Sequence, residues 1–199
     1  MSAAEGRLQR VTRDEADAEA LGLWDAIAEG RPAVDAEGRM MGPFNIWLRS
    51  PEAGRYLLGL GGSLREETVL DRGLNELAIC ATTAHWQANF PFVGHAAAAR
   101  KFGVADSVLD ALAAGQRPEF DDDLQELAYE VATSLVTTGS LPESLHARGL
   151  SALGERALVE LVLVCGWYTL VSFAVNAFEV PMPAGVEPAW QNPGHLPPP

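Results

Sequence analysis

Basic residues are few in this chain. Fourteen Lys and Arg stand against 27 Asp and Glu in 199 residues, which gives a formal net charge of −13 and a pI near 4.6. A surface of that sign attracts neither nucleic acid nor an anionic membrane, so neither is expected as a partner. A small anionic substrate remains allowed, because a pocket can carry a local positive field. Cysteine is scarcer. Cys80 and Cys165 stand far apart and no C-x-x-C pair exists, so two buried free thiols are expected in place of a dithiol centre. The N-terminus, MSAAEGRLQRVTRDEADAEA, has no apolar signal core, and a cytoplasmic protein is expected. Strand-like alternation and a short fixed repeat are also missing. No three-residue His/carboxylate spacing marks a metal site, which leaves Glu76, His85 and His95 together as the rival set; neither a metal nor an organic cofactor is expected.

What is present reads as helix. Hydrophobic residues make up 48% and charged residues 21%, a globular profile, and the length suits one domain that buries a core without disulfides. Thr12-x-x-Glu15 is a capping box and predicts a helix to about Glu29, followed by a Gly- and Pro-punctuated loop through Phe44. Ser50-Pro51 starts a helix that Gly61-Gly62 is expected to weaken. Asp71 can cap DRGLNELAICATTAHW, where Leu74, Leu77, Ala78 and Ala81 recur at helical spacing. Asn89-Phe90-Pro91 is a junction, with Asn89 able to cap a helix that ends at Gly103. Asp106 opens a shorter helix ending before Gly115, and Asp121 to Asp123 place carboxylates at the positive end of the next. PESLHARGLSAL follows. The last helix, ERALVELVLVCGWYTLVSFAVNAFEV, is apolar enough to raise the question of a membrane span. Its apolar core is short and Glu160 and Asn176 bracket it, so a buried central helix, partly at a subunit interface, is expected. The tail from Pro181 to Pro199 is Pro-rich and expected to be extended.

Candidate chemistry gathers in TAHWQANFPFVGH, from Thr83 to His95. Glu76 lies one helical turn before Cys80 and two before Thr83, so the three share a face. His85 falls on the opposite side of an ideal helix from Glu76. His95 belongs to the next helix, on the face of Phe92 and Ala99, and approaches Glu76 if the junction folds that helix back. A carboxylate that orients an imidazole is a standard proton-transfer device. Each residue has a bland rival: a satisfied core histidine, a glutamate paired with Arg72 at i,i+4, or tryptophans that merely pack.

Three runs resemble the carboxymuconolactone decarboxylase family, within the alkylhydroperoxidase D-like superfamily. They are GPFNIWLRSPEAGRYLLGLGGSLR, NELAICATTAHWQANFPFVGHAAAARKFGV and LVELVLVCGWYTLVSFAVNAFEVPMPAG, and together they span residues 42–185. That superfamily places a helix Glu nineteen residues before its motif His, the separation of Glu76 and His95, and His85-Trp86 matches the HW pair of the decarboxylase-like branch. The resemblance implies an all-α, alkylhydroperoxidase D-like helical bundle in a single domain, assembled as a homo-oligomer, a trimer or a hexamer. An N-terminal helix and loop then occupy 1–41 and a Pro-rich tail 186–199.

Two departures qualify it. The peroxidase branch carries C-x-x-C-x-x-x-H, and here the thiol positions hold Ala88 and Pro91, so thiol peroxidase activity is not expected. The decarboxylase branch commonly carries Y-E-W-x-x-H, and here the run is Phe90-Pro91-Phe92-Val93-Gly94-His95, with Pro91 in place of the acid.

The function implied by resemblance is a cofactor-independent lyase acting on a small cyclic lactone or other enolisable substrate through a dienolate. Such a substrate carries its own electron sink, so the protein must shield the reacting group from water, stabilise an oxyanion and move a proton. His95 and His85 are the candidate proton donors or oxyanion partners, and Glu76 orients one of them. Trp47, Trp86, Phe90 and Phe92 would form a dry wall. Arg49, Arg55 or Arg72 would meet a substrate carboxylate. Isomerisation, dehydration and cyclisation use the same equipment, and a non-catalytic binding subunit is the alternative from another class. A closed, polar-lined pocket at His95 would favour an enzyme, and a collapsed, fully packed site the binding subunit.

Overall fold

Local signals in the chain start and stop its helices. Asp71 Oδ1 accepts from the backbone N–H groups of Gly73 at 2.8 Å and Leu74 at 3.2 Å, and Asp122 does the same for Leu124 and Gln125. Gly139 closes a helix in the left-handed conformation at φ 73°. The structure is a computed structural model that describes residues 6–191. Among these residues lie α1 (Leu21–Gly30), α2 (Gly42–Trp47), α3 (Pro51–Glu66), α4 (Arg72–His85), α5 (Asn89–Lys101), α6 (Asp106–Ala113), α7 (Asp123–Thr138), α8 (Glu143–Leu153) and α9 (Glu155–Ala177). Thr12–Arg39 and Val34–Met40 form isolated antiparallel bridges, and no strand ladder occurs among the described residues.

Three expectations change. The capping box forms, with Glu15 Oε2 accepting from Thr12 N at 2.9 Å and Thr12 Oγ1 at 3.1 Å, but turns follow it and the helix begins only at Leu21. Asp17 supplies the cap in place of Thr12: its Oδ1 accepts the Ala20 N–H at 2.8 Å and its carbonyl the Leu21 N–H at 3.1 Å, so the chain turns into helix there. Next, α3 runs through Gly61-Gly62 without a break. Gly61 lets the Trp167 ring pack close, since a Cβ would stand 3.0 Å from it, tighter than an ordinary contact. Finally, Asn89 is the first residue of α5 and not its cap. Its amide is spent on Trp190, accepting from the backbone N at 2.9 Å and donating to the backbone O at 2.8 Å. Pro91 sits in the first turn of α5, where a missing N–H costs no helical bond.

Two apolar clusters share α9. The first joins α4 to α9 around Leu77, Leu109, Val131 and Leu161. The second joins α1, the 31–41 loop, α2 and α3 to the C-terminal half of α9 around Leu23, Ile27, Met40 and Trp167. Each fully buried Leu or Ile contributes roughly 1.5–3 kcal/mol relative to exposure. Helix α9 is long and apolar enough to cross a membrane, yet its Leu161, Val164, Cys165, Trp167 and Val171 lie in the bundle's interior. It is the central helix of the fold. The described end of the tail is docked: Trp190 Nε1 donates to the Ala113 carbonyl at 2.9 Å and its ring lies 4.7 Å from Phe92. The remainder of the expected Pro-rich tail, 192–199, lies outside the described residues.

Candidate active site

A sharp reversal after α4 creates the site. Gln87 takes φ 48°, a conformation non-glycine residues rarely adopt. Ala88 N donates back to the Thr83 carbonyl at 2.9 Å, and Asn176 Nδ2 donates to the Trp86 carbonyl at 2.7 Å, tying the turn to α9. The turn lays α5 against α4, so His95 meets Glu76.

Glu76 is 1% exposed, a carboxylate held in the core. Its Oε1 lies 3.2 Å from Arg72 Nη2 and its Oε2 lies 2.6 Å from His95 Nδ1. With the Glu76 carboxylate as acceptor, the neutral His95 tautomer that fits carries its proton on Nδ1 and presents Nε2 as an acceptor. On that side the Tyr168 hydroxyl stands 2.8 Å away and donates to Nε2. The result is a line from carboxylate through imidazole to phenol: Glu76, His95, Tyr168. Burial pushes the Tyr168 phenol up and the Glu76 charge adds to this, while Arg65 and Arg72 pull the other way. Tyr168 is therefore neutral at rest.

Tyr168 and His95 open onto a cavity of about 320 Å³ between the two apolar clusters. That size lies near the lower end of small-molecule sites, which run about 300–1,000 Å³. Phe44, Trp47, Phe90 and Trp167 give it aromatic walls, and Arg31 and Arg65 also line it. Among the described residues no Asp or Glu does.

Of the residues singled out in the sequence, His95, Trp47 and Phe90 line this cavity, Glu76 stands behind His95, and Arg72 pairs with Glu76 without lining the cavity. The others are placed elsewhere. His85 lines a separate cleft with Gln116, Arg117 and Tyr129, where burial lowers its pKa. Nine residues along α4 is about two and a half turns, which turns His85 away from Glu76. Trp86 donates from Nε1 to Thr169 Oγ1 at 3.2 Å and packs edge-on to Phe173. Phe92 is buried against Trp190. Arg49 and Arg55 are exposed and spend their guanidiniums on the carbonyls of Gln9 and Glu19.

Tyr168, Arg31 and Arg65 were not anticipated. Tyr168 carried one signal, a hydroxyl on an apolar helix that must find a partner when buried. Arg31 follows Gly30 in a stretch read as loop punctuation, and no sequence pattern points to it. The rival metal set does not assemble: no group of three potential ligands lies together among the described residues, and His85 is in the other cleft.

This bundle is the alkylhydroperoxidase D-like fold. A solved structure described as an alkylhydroperoxidase AhpD core, an uncharacterised peroxidase-related protein from Ralstonia eutropha JMP134, matches with a TM-score of 0.71 at 14% identity over 90% of this chain and 93% of that one. An uncharacterised peroxidase-related protein from Silicibacter sp. TM1040 matches with a TM-score of 0.69 at 14% identity over 91% and 94%. A protein of unknown function from Agrobacterium tumefaciens matches with a TM-score of 0.58 at 16% identity over 72% and 97%. At such identities the likeness is one of fold alone. No protein-family model and no curated protein matches the chain.

Proposed function

We propose that the protein is a cofactor-independent enzyme of enolate chemistry, a carbon–carbon lyase resembling carboxymuconolactone decarboxylase or an isomerase, acting on a small enolisable substrate. The Glu76–His95–Tyr168 line at the cavity wall carries the proposal. When a substrate C–H bond breaks, its proton goes to the Tyr168 oxygen as the phenolic proton moves to His95 Nε2. The bonding pair stays on the substrate as an enolate, and Glu76 stabilises the imidazolium. Reversing the shuttle returns a proton to carbon. An isomerase runs both halves at two carbons; a decarboxylase runs only the return, and starts from the form in which His95 already holds a second proton on Nε2 for Tyr168 to take up. Free phenolate never forms, which suits a phenol whose burial resists ionisation.

A formed cavity at His95 favours an enzyme over a scaffold that has lost its chemistry. Thiol peroxidase chemistry has no equipment here. Neither cysteine lines the cavity, and burial pushes both thiols up, Cys165 to about 12. A homo-oligomer in the cytoplasm, trimer or hexamer, belongs to the same proposal.

Solvent-deuterium incorporation into small enolisable lactones and cyclic enones, followed by NMR, tests the relay. Exchange is expected with the wild type and is expected to fall by about 10²–10⁴ in His95→Ala, the usual share of general acid–base catalysis. Full exchange in both His95→Ala and Glu76→Gln would rule the proposal out.

A further inference from the structure

The charge of the cavity is reversed relative to the molecule. In a chain of net charge −13, two guanidiniums line this space and, among the described residues, no carboxylate does. Arg31 caps the end of α1 in extended conformation and lies 5.2 Å from the centre of the Phe44 ring. Among the described residues no protein group accepts a hydrogen bond from its side chain, and its Nε is buried without a partner. Burial first, and the Arg65 charge second, depress its pKa, while Glu66 acts the other way; both guanidiniums line the one cavity. Among the described residues Arg65 has one ionic partner, Glu66 at 2.7 Å, which is 66% exposed and screened by water. Partly buried like charges facing an apolar space are a cost that an anion between them removes. Arginine is the side chain suited to this task, since its planar fork matches a carboxylate.

We propose that Arg31 and Arg65 form a carboxylate-binding site, and that the substrate is a small ring-sized monocarboxylate that keeps its carboxylate through the reaction. The aromatic walls set the ring between this clamp and Tyr168. The second clause follows from where binding energy acts. A guanidinium pair on a departing carboxylate stabilises the ground state and opposes loss of CO₂. The same pair on a retained carboxylate orients the ring without touching the barrier. Within the enolate chemistry proposed above, on which this inference rests, the balance therefore moves from decarboxylation to isomerisation. The proton taken from one carbon by Tyr168 is returned to another, and no other reactant is consumed.

Calorimetric titration with benzoate, against benzamide as its neutral counterpart of the same shape, tests the site without turnover. Benzoate is expected to bind saturably to the wild type and benzamide about tenfold or more weaker, the usual worth of a charge-assisted hydrogen bond. Arg31→Ala and Arg65→Ala should each weaken benzoate by about tenfold or more and leave benzamide unchanged. Arg31→Gln keeps most of the stem over Phe44 and serves if the alanine variant does not fold. His95→Ala should bind benzoate like the wild type, which separates failure of the clamp from failure of the relay. Equal wild-type affinity for benzoate and benzamide, unchanged benzoate binding in both arginine variants, or no saturable benzoate binding at millimolar concentration would overturn the proposal.

Discussion

Glu76 shows what a single residue carries here. A carboxylate 1% exposed is tolerated because Arg72 and His95 each take one of its oxygens. Glu76→Gln keeps the shape but removes the charge that fixes the imidazole tautomer, and it leaves Arg72 without its ion. A loss of about 1–3 kcal/mol is expected in chemical denaturation, the cost of an unpaired buried partner, alongside the loss of exchange activity. His85→Ala is the contrasting case. His85 lies in the other cleft, so the variant should keep proton exchange within about twofold of wild type, as expected of a change outside the reacting geometry. A large loss would return His85 to the mechanism. The cysteines give a third expectation: dithiol-dependent peroxide reduction stays at background, because both thiols are buried and un-ionised.

At the scale of elements, Glu160 on α9 holds the connector between α3 and α4. Its Oε2 accepts from Thr68 Oγ1 at 2.5 Å and Val69 N at 2.7 Å, and its Oε1 from Arg156 Nε at 2.8 Å. Burial opposes the charge, but these bonds outweigh it and bring the carboxyl down to about 2. Against an ordinary value of 4.5, the group contributes stability in full above about pH 4.5, and that share is lost as pH falls through about 2. Its ceiling is about 3 kcal/mol. Glu160→Gln should therefore lower stability more at pH 7 than at pH 3 in denaturant titrations; an equal loss at both would contradict the ionic account. Most helix termini were legible in the sequence, because Asp71, Asp122, Gly103 and Gly115 act locally. The late start of α1 was not, since Thr12 and Asp17 offer rival caps five residues apart, and neither was the unbroken α3, whose Gly61 meets Trp167 across the fold. The Glu76–His95 pair was legible from spacing and resemblance. Its third member was not: Tyr168 meets His95 across 73 residues, and Arg31 and Arg65 reach the same space from α1 and α3.

Across the whole molecule, α9 shows a second face. Val159, Leu163, Leu170 and Phe173 follow one another at intervals of four, seven and three residues, and all are exposed. Exposed apolar rows of this kind mark association surfaces. The proposed homo-oligomer predicts that light scattering at micromolar concentration finds no stable monomer, and that Leu163→Glu with Phe173→Glu shifts the mass toward one. A wild-type monomer would leave this row without its proposed partner. The central claim, however, concerns the proton line at the cavity, and Tyr168→Phe tests it most directly. That variant keeps the ring beside His95 and deletes only the hydroxyl. Solvent-deuterium exchange into a turned-over enolisable carboxylate should fall by about 10²–10⁴ while benzoate binding and melting temperature stay near wild type. Exchange at the wild-type rate in a folded Tyr168→Phe would contradict the account.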